Sequence, residues 1–122
     1  NKGGPLMIEC NDGVIMQVLI NILDNAVYWL NNSIDITSKK TIKVLINGHA
    51  QQVIIGDNGI GIREDDINYI FEPFFSTKGN EGRGLGLYIA RQLLERYDFK
   101  IDYLSKESSK ILKGANFLIN FG

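Results

Sequence analysis

Cysteine and histidine are nearly missing from these 122 residues: one of each, Cys10 and His49. A single cysteine excludes an internal disulfide, and one Cys with one His cannot build a zinc site. Excess charge is missing too. Thirteen Lys and Arg stand against fourteen Asp and Glu, a formal charge of −1. That balance offers no electrostatic attraction for nucleic acid or an anionic membrane. Long hydrophobic runs are absent. Asn, Asp or Lys interrupts every apolar stretch well before about 18 residues, so no bilayer span is expected. No secretion-signal pattern opens the sequence.

What is present has the make-up of a globular domain. Hydrophobic residues are 44% and charged residues 22%, which excludes a disordered tail. The length is that of one ordinary domain able to bury a core. The expectation is one soluble, intracellular domain over residues 1–122. The abrupt start at Asn1-Lys2-Gly3-Gly4-Pro5 and the strand-like end read as a domain excised from a longer protein.

Residues 6–10 read as a short strand after a Gly-Gly-Pro breaker. Asn11-Asp12-Gly13 is a turn with Asp12 as N-cap, and residues 13–31 carry a long helical pattern. Residues 41–47 and 51–56 are β-rich and joined by Asn47-Gly48-His49-Ala50, a hairpin signal. Residues 63–71 read as a short helix with an acidic first turn, and 72–84 as a loop. Residues 85–97 form an amphipathic helix with Leu87, Ile89, Leu93 and Leu94 inward. Residues 99–106 and 115–121 alternate as a closing hairpin, with Lys113-Gly114 near its turn. Cys10 reads as a core strand residue. Adjacent hairpins predict an α+β fold: a two-layer sandwich with a mostly antiparallel sheet of about five strands under about three helices.

Three features point toward chemistry. First, helix 13–31 is apolar almost all round, yet Gln17, Asn21 and Asn25 recur every four residues on one narrow face, with Asp24 beside it. A buried unpaired amide costs about 1–3 kcal/mol, so these amides need partners. Neighbouring backbone supplies one answer. A polar ligand or hydrated cation supplies another, since an Asn carbonyl is a hard ligand suited to Mg²⁺. Second, Asp57-Asn58-Gly59-Ile60-Gly61 ends a hydrophobic strand. It reads either as an Asx-closed turn or as a carboxylate that accepts from an exocyclic amine where glycines permit close approach. Third, Gly82-Arg83-Gly84-Leu85-Gly86-Leu87 runs into a helix. Backbone N–H groups at the positive end of a helix suit phosphate, although the spacing is neither a P-loop nor a dinucleotide fingerprint. Between the glycine turns lies Phe71-Glu72-Pro73-Phe74-Phe75-Ser76-Thr77-Lys78. Its aromatics either tuck the loop onto the core or form a hydrophobic hinge, with Lys78 a solvated lysine or a phosphate contact.

In order and spacing these segments resemble the ATP-binding catalytic domain of sensor histidine kinases. The wider superfamily includes DNA gyrase B, heat-shock chaperone ATPases and mismatch-repair ATPases. Asn21-Ile22-Leu23-Asp24-Asn25-Ala26 resembles the asparagine box, and Asp57 to Gly61 the first glycine box. Phe71 to Lys78 resembles the phenylalanine box, and Gly82 to Leu87 the second glycine box. The resemblance covers residues 17–90 and implies the Bergerat-type fold, with ATP and Mg²⁺ as cofactors.

It also implies roles. Asn25 coordinates Mg²⁺, and Asn21 supports the phosphates or the metal. Asp57 accepts from the adenine amine while Gly59 and Gly61 let the chain pass the nucleotide. Residues 72–84 form the ATP lid, hinged by Phe71, Phe74 and Phe75. Lys78 or Arg83 supplies a phosphate contact, and Gly84 and Gly86 shape the phosphate-facing helix start, with Leu85 and Leu87 among the nucleotide-binding positions. ATP-hydrolysing cousins carry Glu four residues before the metal-binding Asn. Here that position is Asn21, which takes no proton at neutral pH, so transfer to a protein acceptor is favoured over hydrolysis. Many histidine kinases carry Lys or Arg three residues after that Asn; this chain has Tyr28.

The acceptor histidine of the family lies on a helical dimerisation segment, and His49 reads instead as a solvated turn residue. The implied partners are the phosphoacceptor helices of a parent kinase and, through them, a response regulator. No nucleic acid or direct membrane contact is expected. The isolated domain is expected to be a cytoplasmic monomer, inactive in autophosphorylation. Two other readings stand beside this one: a nucleotide-binding regulatory module without transfer activity, motivated by Tyr28, and an ATPase of the same superfamily, which Asn21 argues against.

Overall fold

The structure, a computed structural model, describes residues 3–31, 39–75 and 85–122. Helix α1 spans Asp12–Asn31. Strands β1 (Ile42–Asn47) and β2 (Gln52–Asp57) follow as a hairpin. A 3-10 segment, Glu64–Tyr69, precedes helix α2 (Gly86–Glu95). Strands β3 (Lys100–Tyr103) and β4 (Asn116–Asn120) close the chain, with a short 3-10 turn at Glu107–Ser109 between them.

The four strands form one sheet in the order β1-β2-β4-β3, every pair antiparallel. The α+β sandwich is therefore present with four strands where about five were expected. Residues 6–10 form no strand. The chain just before this segment passes the β1–β2 turn, where a Cβ added at Gly48 would strike the Gly4 carbonyl and lie 3.0 Å from the Pro5 carbonyl carbon. Cys10 is accordingly half-buried in irregular chain rather than on a core strand. Helix α1 is capped by Asn11, one residue earlier than expected. The Asn11 side chain accepts from Gly13 N at 2.8 Å and its carbonyl from Val14 N at 3.0 Å. Asp12 lies just inside the first turn, where a negative charge suits the helix dipole.

Pairing in register stacks alternate residues of neighbouring strands on one face. Val53 faces Ile119, Ile55 faces Phe117, and Ile101 faces Ile119. All five are buried, together with Val18, Ile22 and Trp29 of α1 and Leu87, Ala90 and Leu94 of α2. The Trp29 indole stacks on the Phe117 ring, 6.4 Å apart at 11°. Each of the large aliphatic side chains and Phe117 contributes roughly 1.5–3 kcal/mol on burial. Ile89, expected in the core, is 37% exposed. By length and composition α1 is also long and apolar enough to cross a membrane. One face of it, with Val18, Ile22, Ala26, Trp29 and Leu30, is buried in the domain, while Met16, Ile20 and Val27 are exposed.

Candidate functional site

The site is built where β2 leaves the sheet. Its last residue, Asp57, is 2% exposed. One carboxylate oxygen, Oδ1, accepts from Gly59 N at 2.9 Å and from Ala115 N at 3.2 Å. The Asp57 backbone is tied to the same partner segment: Asp57 N donates to the Ala115 carbonyl at 2.9 Å, and Gly114 N donates to the Asp57 carbonyl at 2.8 Å. Two donors on one oxygen fix the direction of the whole carboxylate. Burial pushes the Asp57 carboxyl above its ordinary value, against the opposing pull of the Gly59 and Ala115 N–H groups and the Lys110 charge. Loss of water thus destabilises the ionised form while oriented donors favour it.

Glycine is required around this carboxylate for two distinct reasons. Gly61 sits at φ +77°, which disfavours a side chain. Gly114 is a matter of space: an added Cβ would collide with Asp57 Oδ1 and lie 2.7 Å from Gly59 N. Gly59 is tight on both sides, with Asp57 Oδ1 at 3.1 Å and the Trp29 carbonyl at 3.5 Å from an added Cβ. Asn58 makes a separate clamp. It accepts from Thr41 N at 2.9 Å and donates to the Lys39 carbonyl at 2.7 Å.

The amide stripe of α1 meets the start of α2. Gln17 Nε2 donates to Asn21 Oδ1 at 2.8 Å, and Asn21 Nδ2 donates to the Gly86 carbonyl at 3.0 Å. For Asn21, then, bonding to neighbouring backbone holds. Asn25 is buried one turn further along. A Cβ on Gly86 would lie 3.9 Å from Asn21 Cβ and 4.0 Å from Asn25 Nδ2. Gly86 keeps this junction open, and Leu85 precedes it with no side-chain cap on the first turn. Leu87 turns into the core. The donor set fits Mg²⁺ only in part. The side-chain oxygen of Asn25 is a hard donor, and among the described residues no cluster of three His, Cys, Asp or Glu exists. Mg²⁺ held by one or two protein oxygens plus phosphate needs no such cluster.

The phenylalanines divide. Phe71 lies edge-on to Phe117 at 6.2 Å, with the Arg91 guanidinium 5.6 Å above its ring. Phe75 pairs with Tyr69 at 6.1 Å. Phe74 is 77% exposed at φ +67° and turns away from both. Lys78, Arg83, Gly84 and most of the expected lid, 76–84, lie outside the described residues. His49 is exposed in the β1–β2 turn, at the opposite end of β2 from Asp57.

Reading the sequence missed one wall of the site. Gly114 and Ala115, just ahead of β4, hold Asp57 directly and Asn116 holds their turn, whereas the sequence pattern shows only a turn at Lys113-Gly114. The one local signal was Gly114-Ala115-Asn116 ahead of an apolar strand. Tyr103 was missed as well. Its hydroxyl accepts from Ile62 N at 3.4 Å and its ring packs edge-on to Phe117 at 5.5 Å.

This assembly is that of a known family. The chain matches the histidine kinase-, DNA gyrase B- and HSP90-like ATPase family over residues 11–121, and it belongs to that family. Its relatives there are sensor kinases. Sporulation kinase E of Bacillus subtilis is 36% identical over 112 residues, covering 92% of this chain and 14% of that protein. The sensor histidine kinase YclK of the same organism is 34% identical over 133 residues, 97% of this chain and 26% of the relative. Among solved structures, a nucleotide-free catalytic domain of the histidine kinase ThkA is similar with a TM-score of 0.71 at 29% identity, over 95% of this chain and 71% of that one. The chain is thus homologous to histidine kinase catalytic domains, the ATP-binding part of these enzymes. It spans about a seventh to a quarter of the curated relatives named here.

Proposed function

We propose that this domain binds Mg-ATP and donates the γ-phosphoryl group to a histidine on a separate helical segment of a cytoplasmic kinase assembly. The observation that carries the reading is Asp57, a buried carboxylate whose orientation is fixed by two backbone donors at the end of a core strand. An ionised carboxylate is an acceptor only. So placed, it accepts from the exocyclic amine of adenine, and Gly59 and Gly61 let the base come close. The opposite end of the nucleotide lies at the α1–α2 junction. There Asn25 contributes one oxygen to Mg²⁺, whose charge offsets that of the phosphates. The backbone at Leu85, Gly86 and Leu87 offers N–H groups to the same anion, and Lys78, Arg83 and Gly84 are assigned to it as well. Phe71 and Phe75 bound the nucleotide from the hinge side.

In the transfer step the bond between the γ-phosphorus and the leaving oxygen of ADP breaks as a bond to a histidine nitrogen forms. The chain's part is to hold the phosphates in line and offset their charge, which is most of what phosphoryl transfer requires. Asn21 supports this division of labour. It has no proton-accepting carboxylate with which to activate water. The acceptor helices and, through them, a response regulator are the proposed partners.

Titration calorimetry with ADP and a non-hydrolysable ATP analogue, with and without Mg²⁺, tests the site. Tighter binding with Mg²⁺ that collapses in Asp57→Asn supports the reading, and no binding at millimolar nucleotide overturns it. Transfer is tested with γ-labelled ATP. Label should reach a supplied acceptor segment and leave the isolated domain blank; label on the domain itself contradicts the assignment.

A further inference from the structure

Asn116 has no contact with the nucleotide in the reading above, yet it is 0% exposed, the most deeply buried of the described polar side chains. Its Oδ1 accepts from Ile111 N at 3.0 Å and from Leu112 N at 3.2 Å. Its Nδ2 donates to the Leu112 carbonyl at 2.8 Å and to the Gly114 carbonyl at 3.0 Å. Two accepted and two donated bonds are the full capacity of a primary amide. All four go to the turn over residues 111–114. The end of that turn places Gly114 N on the Asp57 carbonyl and leads into Ala115, whose N–H sits on Asp57 Oδ1. The surroundings are shaped around this amide. A Cβ on Gly56 would collide with Asn116 Oδ1 and lie 2.8 Å from Ile111 Cγ1. The direction of the Asp57 carboxylate therefore depends on the turn, and the turn depends on Asn116.

We propose that Asn116 is a positioning residue for base recognition: by clamping the 111–115 turn it aims the Asp57 carboxylate and so sets the preference for a 6-amino over a 6-oxo purine. The proposal rests on Asp57 accepting from the adenine amine. A 6-amino group donates to a carboxylate. A 6-oxo group presents an acceptor to an acceptor, and the same geometry rejects it. The discrimination is only as sharp as the carboxylate's direction is fixed. Residual freedom of the turn lets Asp57 swing aside, weakening the amine's bond and relieving the clash with an oxo group.

The test is titration of ADP and IDP, both with Mg²⁺, into the domain and into Asn116→Asp, Asn116→Ser and Gly56→Ala. Asn116→Asp keeps both acceptor bonds and loses both donations. Gly56→Ala keeps every polar group and displaces the amide. Ile119→Val, on the same strand and away from the turn, serves as a control for loosened packing. The domain should bind ADP about tenfold or more tighter than IDP, the scale of one hydrogen bond to a charged acceptor. In the Asn116 and Gly56 variants that ratio should fall toward one, mainly through weaker ADP binding, while Ile119→Val keeps it. A variant that keeps the ratio, or weakens both ligands equally, overturns the role of Asn116 and leaves it a fold residue. Failure of all three variants to fold has the same meaning. A wild-type domain that binds both nucleotides equally, or neither, overturns instead the assignment of Asp57 on which the proposal stands.

Discussion

Replacing Asp57 by Asn should separate the needs of the site from those of the fold. The nucleotide effect is large. A hydrogen bond from the adenine amine to an ionised acceptor contributes about 1.5–3 kcal/mol, and an amide donor left unpaired in its place costs about 1–3 kcal/mol more. Together these weaken binding by roughly 100-fold or more at 1.4 kcal/mol per decade. The effect on the unliganded fold runs the other way. Burial raises the folded-state pKa of Asp57 despite the Gly59 and Ala115 N–H groups and Lys110. The protonated form is therefore the one the fold favours. The contribution of Asp57 to stability is complete below the unfolded carboxyl value of about 3.9, and it is lost as pH rises through the higher folded value. Asn keeps an oxygen for both N–H donors and never ionises. Melting temperatures of the two proteins, measured without nucleotide from pH 4 to pH 9, should diverge in favour of Asn as pH rises. A variant that becomes progressively less stable than wild type over that range would refute the reasoning, because the ionised carboxylate would then be stabilising the fold.

Three further substitutions test separate parts of the architecture. Gly114→Ala drives a methyl into Asp57 and toward Gly59 N; overpacking of this kind costs about 1–3 kcal/mol, and denaturant unfolding should show that loss together with weaker ADP binding. Asn25→Ala should remove most of the Mg²⁺ dependence of nucleotide binding while leaving metal-free ADP affinity within a few-fold, read by titration with and without the ion. Trp29→Ala removes the indole stacked on Phe117 and should lower unfolding free energy by about 3–5 kcal/mol, measured in urea. A loss under 1 kcal/mol there would show that the α1–sheet contact is not the centre of the core.

The parts of the molecule that were legible in advance are those whose determinants lie close together in the chain. The hairpin of β1 and β2 follows from alternation around Asn47-Gly48, and α2 from the apolar spacing of Leu87, Leu93 and Leu94, although Ile89, counted with them, is exposed and Ala90 is buried in the core. The Asp57 turn announces itself through neighbouring glycines. What was not legible depends on partners far away. Ala115 N reaches Asp57 Oδ1 across 58 positions, and nothing in a Lys-Gly-Ala-Asn run declares which strand end it will face. Residues 6–10 have the composition of a strand, yet they pair with neither edge strand, β1 nor β3; composition favours an extended chain without supplying its partner. Asn11 and Asp12 are both good caps; the choice between them is made by backbone geometry. Phe74 resembles Phe71 and Phe75 in composition. Its left-handed backbone conformation sends it outward, and residue type alone does not determine that.

Position 21 shows how one side chain can serve fold and chemistry together. Read as a motif, Asn21 is the place where a general base for water would stand, and its amide cannot act as one. Read in the fold, the same amide donates to the Gly86 carbonyl, 65 positions away, and receives a bond from Gln17. That tie holds the start of α2 against the stripe that carries Asn25. A glutamate here would set a carboxylate toward a carbonyl oxygen, with no proton for the bond at neutral pH. It would lose the bond that ties the two helices at the junction where the phosphates are proposed to lie. Whatever its part in the proposed transfer, the amide ties α1 to the start of α2 beside Asn25.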